Sequence, residues 1–144
     1  MIICIIGDSN HIEVPTYTNY MKAKLKYIGL ITLIGFYLFA GINHFINPEF
    51  YLPLIPPYLP NHELINWLAG ISEIVVAIGM IYPATRRISA YGIIAMLIAF
   101  IPSHIYMIQL DSCITDDFCF NPMVGWVRLV VIHPILLLWA WWLR

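Results

Sequence analysis

Charge is what this sequence lacks. Only 15 of its 144 residues are charged, 7 basic and 8 acidic, where an ordinary soluble domain has about a quarter of its residues charged. That scarcity excludes a disordered chain, a nucleic-acid-binding surface and a solvated enzyme domain, each of which needs charge in contact with water. A net charge of −1 offers no general attraction to a strongly charged partner. Internal repeats, low-complexity tracts and long linkers are also missing, and the length suits one domain. What is there instead is apolar surface: 61% of the residues are hydrophobic and the mean hydropathy is +0.81.

The few charges fall between long runs that have none. Tyr27 to Pro48 and Ile88 to Leu110 contain no Asp, Glu, Lys or Arg, Leu64 to Thr85 contains only Glu73, and Val124 to Leu143 only Arg128. About 20 apolar residues at ~1.5 Å each span the hydrocarbon core of a bilayer. The expected fold is therefore all-α, a bundle of four transmembrane helices near 27–46, 64–82, 88–109 and 124–143. A soluble bundle would need four helices with almost no polar face. Six of the seven basic residues, Lys22, Lys24, Lys26, Arg86, Arg87 and Arg144, fall on one side of this arrangement. The positive-inside rule makes that side, and both termini, cytoplasmic, so the chain is expected as a multi-pass protein of the inner (cytoplasmic) membrane. Trp126, and Trp139, Trp141 and Trp142, take aromatic-belt positions at the two ends of the last span. The first apolar run is too long for a signal-peptide h-region and reads as a signal anchor.

Residues 1–20 read differently from 21–144. They are expected as a mis-assigned start, with Met21 the true beginning, or else as a disordered cytoplasmic tail. Gly7-Asp8-Ser9 matches the nucleophile block of a hydrolase, but a parallel sheet and a later catalytic pair are missing. Cys4 has no evident partner. The first outer loop, 47–63, carries Pro48, Pro53, Pro56, Pro57 and Pro60. Such density predicts extended backbone rather than helix, forming either a stiff flap over the outer helix ends or a passive connector. The second outer loop carries Cys113 and Cys119 beside Asp111, Asp116 and Asp117. Outside the cytoplasm this pair is a candidate disulfide, with free thiols or a redox-active pair as alternatives. No metal-ligand spacing is recognisable.

Polar residues inside the spans are Asn43 and His44, Asn66 and Glu73, Ser103 and His104, and Arg128 and His133. Lipid penalises such groups, so they face the bundle interior and find partners. Small residues, Ala95, Ala99 and Ser103 on the third span and Ala69, Gly70 and Ala77 on the second, are expected where helices touch. Depth along the spans predicts an outer-half cluster of His44, Asn66, Glu73, His104 and Arg128, centred on a Glu73–Arg128 pair. His133, five residues or ~140° from Arg128 on an ideal helix, fits less easily unless Pro134 bends the backbone. Two readings stay open: an ion pair that fixes helix register, or a pocket for a ligand or proton beneath the proline flap.

Ala40-Gly-Ile-Asn-His-Phe45 with Pro48, Leu54-Ile-Pro-Pro-Tyr-Leu-Pro60, Ala69-Gly-Ile-Ser-Glu-Ile74, Gly79, Pro83, Arg86-Arg87, Ile105-Tyr-Met107 and Arg128-Leu129 occur in that order. This series resembles the DoxX-like family of four-helix membrane proteins over about residues 21–144. Where those proteins usually read Phe-Pro-Ala-Asn, this chain has Ile101-Pro-Ser-His104, and the usual Arg-Leu-Pro-Leu-Gln is replaced by Arg128-Leu-Val-Val-Ile132. The resemblance implies a membrane subunit associated with redox chemistry, with quinone as the candidate cofactor and a membrane oxidoreductase as partner. The alternative is a non-enzymatic accessory or scaffold protein, or a small transporter. Neither reading makes it an autonomous enzyme, since no catalytic triad, flavin fingerprint or haem pair is visible. The expected partners are lipid, a redox protein or further copies of the chain, and not nucleic acid. Reporter fusions should place residues near 86 in the cytoplasm and residues near 55 and 115 outside. An outside result at 86 would overturn the topology.

Overall fold

The computed structural model describes residues 17–115 and 118–144. The Gly7-Asp8-Ser9 block, Cys4, Asp116 and Asp117 lie outside the described residues. Four helical spans are long and apolar enough to cross a membrane: Tyr17–Ile46, His62–Ile81, Pro83–Gln109 and Met123–Leu143. The first, α1 (Tyr17–Ile46), begins four residues before Met21. Its buried residues, Leu30, Leu33, Tyr37, Gly41 and His44, recur at intervals of three and four and form one stripe.

After α1 come a one-turn helix, α2 (Pro48–Tyr51), and a 3-10 turn over Leu52–Leu54. The expectation of extended backbone throughout this loop is therefore corrected. Pro48 and Pro53 each stand in the first turn of a helix, where no N–H is required. Beyond them Ile55 is extended, and Leu54, Ile55 and Pro56 are buried. The loop folds inward onto the bundle.

The second span, α3 (His62–Ile81), buries Asn66, Gly70, Glu73, Ala77 and Met80, again at alternating intervals of three and four. This stripe meets that of α1 at two glycines. A Cβ on Gly41 would stand 2.8 Å from the Gly70 carbonyl oxygen, and one on Gly70 2.9 Å from that of Gly41. The backbones touch because neither residue has a side chain. A single residue, Tyr82, separates α3 from α4 (Pro83–Gln109). The last carbonyls of α3 are capped from the next helix, Gly79 O by Thr85 Oγ1 at 2.7 Å and Met80 O by Arg86 Nε at 3.1 Å.

The buried stripe of α4 runs from Ser89 to Leu97, then lapses until Met107. Ala95 and Ala99 are exposed, not wedged between helices. The expectation that they mark a helix contact is corrected: close approach belongs to Gly41 and Gly70. After α4 a short antiparallel hairpin pairs β1 (Cys113–Thr115) with β2 (Phe118–Cys119), and a disulfide joins Cys113 to Cys119. This hairpin adds a small sheet to an otherwise helical fold. The last span has three parts: α5 (Met123–Val127), a π turn over Arg128–Ile132, and α6 (His133–Leu143).

α1 packs most extensively on α3, α3 on α4 and α4 on α6, with a smaller contact between α1 and α6. One end of the bundle carries the basic residues, and there Arg144 lies 3.3 Å over the ring of Trp141 and reaches the Tyr91 hydroxyl at 3.0 Å. The main core, including Leu33, Met80, Ile93, Ala140 and Leu143, fills that half. At the other end Leu54, Met107 and Ile114 form a separate cluster with Phe50 and Phe120, tying loop, helix end and hairpin together. Replacing Gly70 with Leu should lower the unfolding temperature of the detergent-solubilised protein, since overpacking of this kind costs about 1–3 kcal/mol. An unchanged midpoint would refute the close contact. Cys113 and Cys119 should resist alkylation in intact cells until a reductant is added.

Candidate functional site

A cavity of about 1130 Å³ lies between the two hydrophobic clusters. His44, Asn66, Glu73, His104 and Arg128 all line it. Four spans therefore bring together the five polar residues that depth alone grouped.

Proline sets the geometry at His44. In a continuing helix the His44 carbonyl would accept the N–H four residues on, but that residue is Pro48, which has none. Asn66 takes its place. Its Nδ2 donates to His44 O at 2.9 Å, and its Oδ1 accepts from His44 Nδ1 at 2.7 Å. Because the Asn66 amide nitrogen is committed to the carbonyl, its oxygen faces the imidazole and the proton must sit on Nδ1. Tyr51 stacks on the ring at 3.7 Å between centroids, held by Asn43 Nδ2 donating to its hydroxyl at 2.8 Å. Nε2 is left to face Glu73.

Glu73 has an unusual setting. Its Oε2 is buried and accepts no hydrogen bond among the described residues. The nearest base is His44 Nε2 at 3.7 Å. Arg128 lines the same cavity but has no carboxylate within 4.0 Å among the described residues. Its guanidinium is instead directed at Met107 Sδ, 3.9 Å away. The expected Glu73–Arg128 pair is thus corrected: on the ladder of α3, Glu73 shares a stripe with Asn66, and that stripe faces His44 on α1.

The π turn repairs the position of His133. Pro134 has no N–H and its ring collides with the carbonyl four residues back, so the chain widens by one residue and the His133 N–H bonds to Arg128 O. A five-residue step now brings side chains to the same side, and Arg128 and His133 both line the cavity. The local change of backbone at Pro134 that His133 needed in order to join is this π turn. The His133 ring meets that of His104 edge to face at 5.0 Å, and its Nε2 is buried without a hydrogen bond among the described residues. Sequence reasoning also missed Tyr37, whose buried hydroxyl has no hydrogen bond among the described residues and which lines the cavity. The signal was available, since Tyr37 stands seven residues before His44, two turns down the same face.

The family described as Domain of unknown function (DUF8561) matches residues 33–144, more than three quarters of the chain. The chain belongs to the DUF8561 family. Every cavity residue discussed above falls inside the matched DUF8561 segment. No curated protein and no solved structure matches the chain.

Asn66→Ala should destabilise the protein by about 1–3 kcal/mol, because it strands the His44 carbonyl and Nδ1 without partners. Glu73→Gln should leave the unfolding midpoint unchanged or raise it, because a buried carboxylate with so few partners costs more than it returns. A large loss of stability in Glu73→Gln would show that the carboxylate is a structural tie.

Proposed function

We propose that this is a small integral protein of the inner (cytoplasmic) membrane, termini in the cytoplasm, that holds a quinone-like or other small amphiphile for a redox partner. The observation that carries the proposal is the cavity itself: a largely apolar space inside the bundle with a few convergent polar groups at one end. Four spans long and apolar enough to cross a bilayer, basic residues gathered at one end of the bundle, and the DoxX-like motifs of the sequence support the membrane and redox parts of the reading.

A quinone-like head group fits the residues present. Arg128 and His104 offer N–H donors to carbonyl oxygens, and the apolar walls accept a tail. When bound, such a group supplies reversible uptake of electrons and protons. The chain's own part is to position the ring and to hold a proton between His44 Nε2 and Glu73, the imidazole being kept in one orientation by Asn66. Ionisable residues within spans commonly mark such pathways.

The second reading is an accessory or scaffold protein, or a small transporter, whose polar cluster is structural. The two hydrogen bonds between His44 and Asn66, which fasten α1 to α3, favour it. The protein should be released in native membrane nanodiscs and its lipophilic content extracted. A quinone or other amphiphile enriched over the surrounding lipid, and lost in His104→Ala with the fold intact, is the expected result. No enrichment of any amphiphile over bulk lipid would overturn the proposal and leave the structural reading.

A further inference from the structure

At the polar end of the cavity Arg128 is a donor group without a matched acceptor. Arg128 carries five N–H donors, and the only partner in reach among the described residues is a thioether sulfur, a weak acceptor, at 3.9 Å. His104 and His133 stand beside each other, and neither His133 Nε2 nor the Tyr37 hydroxyl has a hydrogen-bond partner among the described residues. The one carboxylate of the cavity, Glu73, has His44 Nε2 at 3.7 Å, nearer than the guanidinium, which lies beyond 4.0 Å. A guanidinium inside a span is stable only when it is paired, or when it faces a space that something polar fills. Here the space exists, and no carboxylate among the described residues lies within 4.0 Å of the guanidinium.

The remainder of the cavity is apolar. Phe100, Leu97 and Leu136 line its walls. Phe36, Leu68, Ala99, Val127 and Ile132 line it and are exposed, so the cavity is open and not sealed. Between spans that cross a bilayer, a molecule with a polar head and an apolar chain would match this division, head group at the polar end and chain along the apolar walls.

We infer that the head group of the bound amphiphile is acidic: its anionic oxygens lie against Arg128, His104 and His133, and its apolar chain fills the rest of the cavity. This rests on the amphiphile-binding reading and narrows it from quinone-like or other amphiphiles to acidic ones. A guanidinium matches a carboxylate or phosphate with paired N–H donors, whereas a thioether offers it only a single weak acceptor. The acid would supply the acceptors that Arg128 lacks, and its chain would occupy volume that neither core cluster fills.

The test uses the full chain in nanodiscs of phosphatidylcholine and a photoreactive analogue of palmitate, with labelled peptides mapped by mass spectrometry. Saturable labelling of α4 or of the last span is expected, with palmitate competing at a concentration about thirtyfold lower than methyl palmitate, as for a desolvated charge pair. Arg128→Gln should abolish that preference and Arg128→Lys should keep part of it. The acid–ester comparison on the unaltered chain decides the matter even if Arg128→Gln does not fold. Equal competition by the methyl ester, or stronger competition by a neutral alkyl benzoquinone, would overturn the acidic head group while leaving the amphiphile site standing. Displacement by acetate as effective as by palmitate would make it a free-anion site and overturn the inference. Absence of saturable binding by either acid or quinone would overturn both this inference and the amphiphile reading.

Discussion

Within a bilayer each backbone N–H and C=O must find its partner inside the protein, because no water is there to take one. Proline breaks that rule wherever it enters a helix, and three prolines do so around the cavity. Pro48 deprives the His44 carbonyl of its donor, Pro102 does the same to Ile98, and Pro134 to Val130. The chain answers the first with an asparagine from another helix and the third with a π turn. Both answers turn polar side chains into one interior space. The site follows from how the backbone's hydrogen bonds are completed.

The same space exists because packing is concentrated at the two ends. Near the basic end leucine, isoleucine and methionine interlock with the small residues Ala77, Ala90 and Ala140 into a continuous core. At the far end the folded-in proline loop and the disulfide-closed hairpin form their own cluster over Met107. Between them α4 presents Ala95, Ala99 and Ser103, which are too short to reach across the bundle. The close α1–α3 contact at Gly41 and Gly70 draws two helices together, and the side chains on α4 do not fill the width that remains. The space is partly open, so its lining can be covered by whatever surrounds the bundle.

Polar groups in the cavity are divided between two roles. Asn66, Asn43 and Tyr51 are hydrogen-bonded and hold the His44 ring. Glu73 Oε2, His133 Nε2 and the Tyr37 hydroxyl are left without hydrogen bonds among the described residues. Native interiors leave few such groups unsatisfied, and those that remain call for a partner or a function. A hydrogen-bonded shell thus surrounds groups whose hydrogen bonds are left open among the described residues.

Much of this protein was legible in one dimension. Hydrophobic runs of membrane length set the four spans, because a bilayer imposes its thickness on any helix that crosses it. Depth counting grouped His44, Asn66, Glu73, His104 and Arg128, because rise per residue is the same in every helix. Rotation about the helix axis was less legible, and there the tertiary structure decided. Which base faces Glu73 depends on how α1 and α3 turn toward each other, and two glycines set that turn at a distance no spacing rule reports. Whether His133 joins the site depends on one extra residue in a turn, a local choice forced by the collision of Pro134 with the preceding backbone. The sequence by itself determined how deep each polar group lies, a sum over identical steps along one helix. Only the packed bundle decided which groups meet, since that depends on helix faces brought together by contacts between residues far apart in the chain.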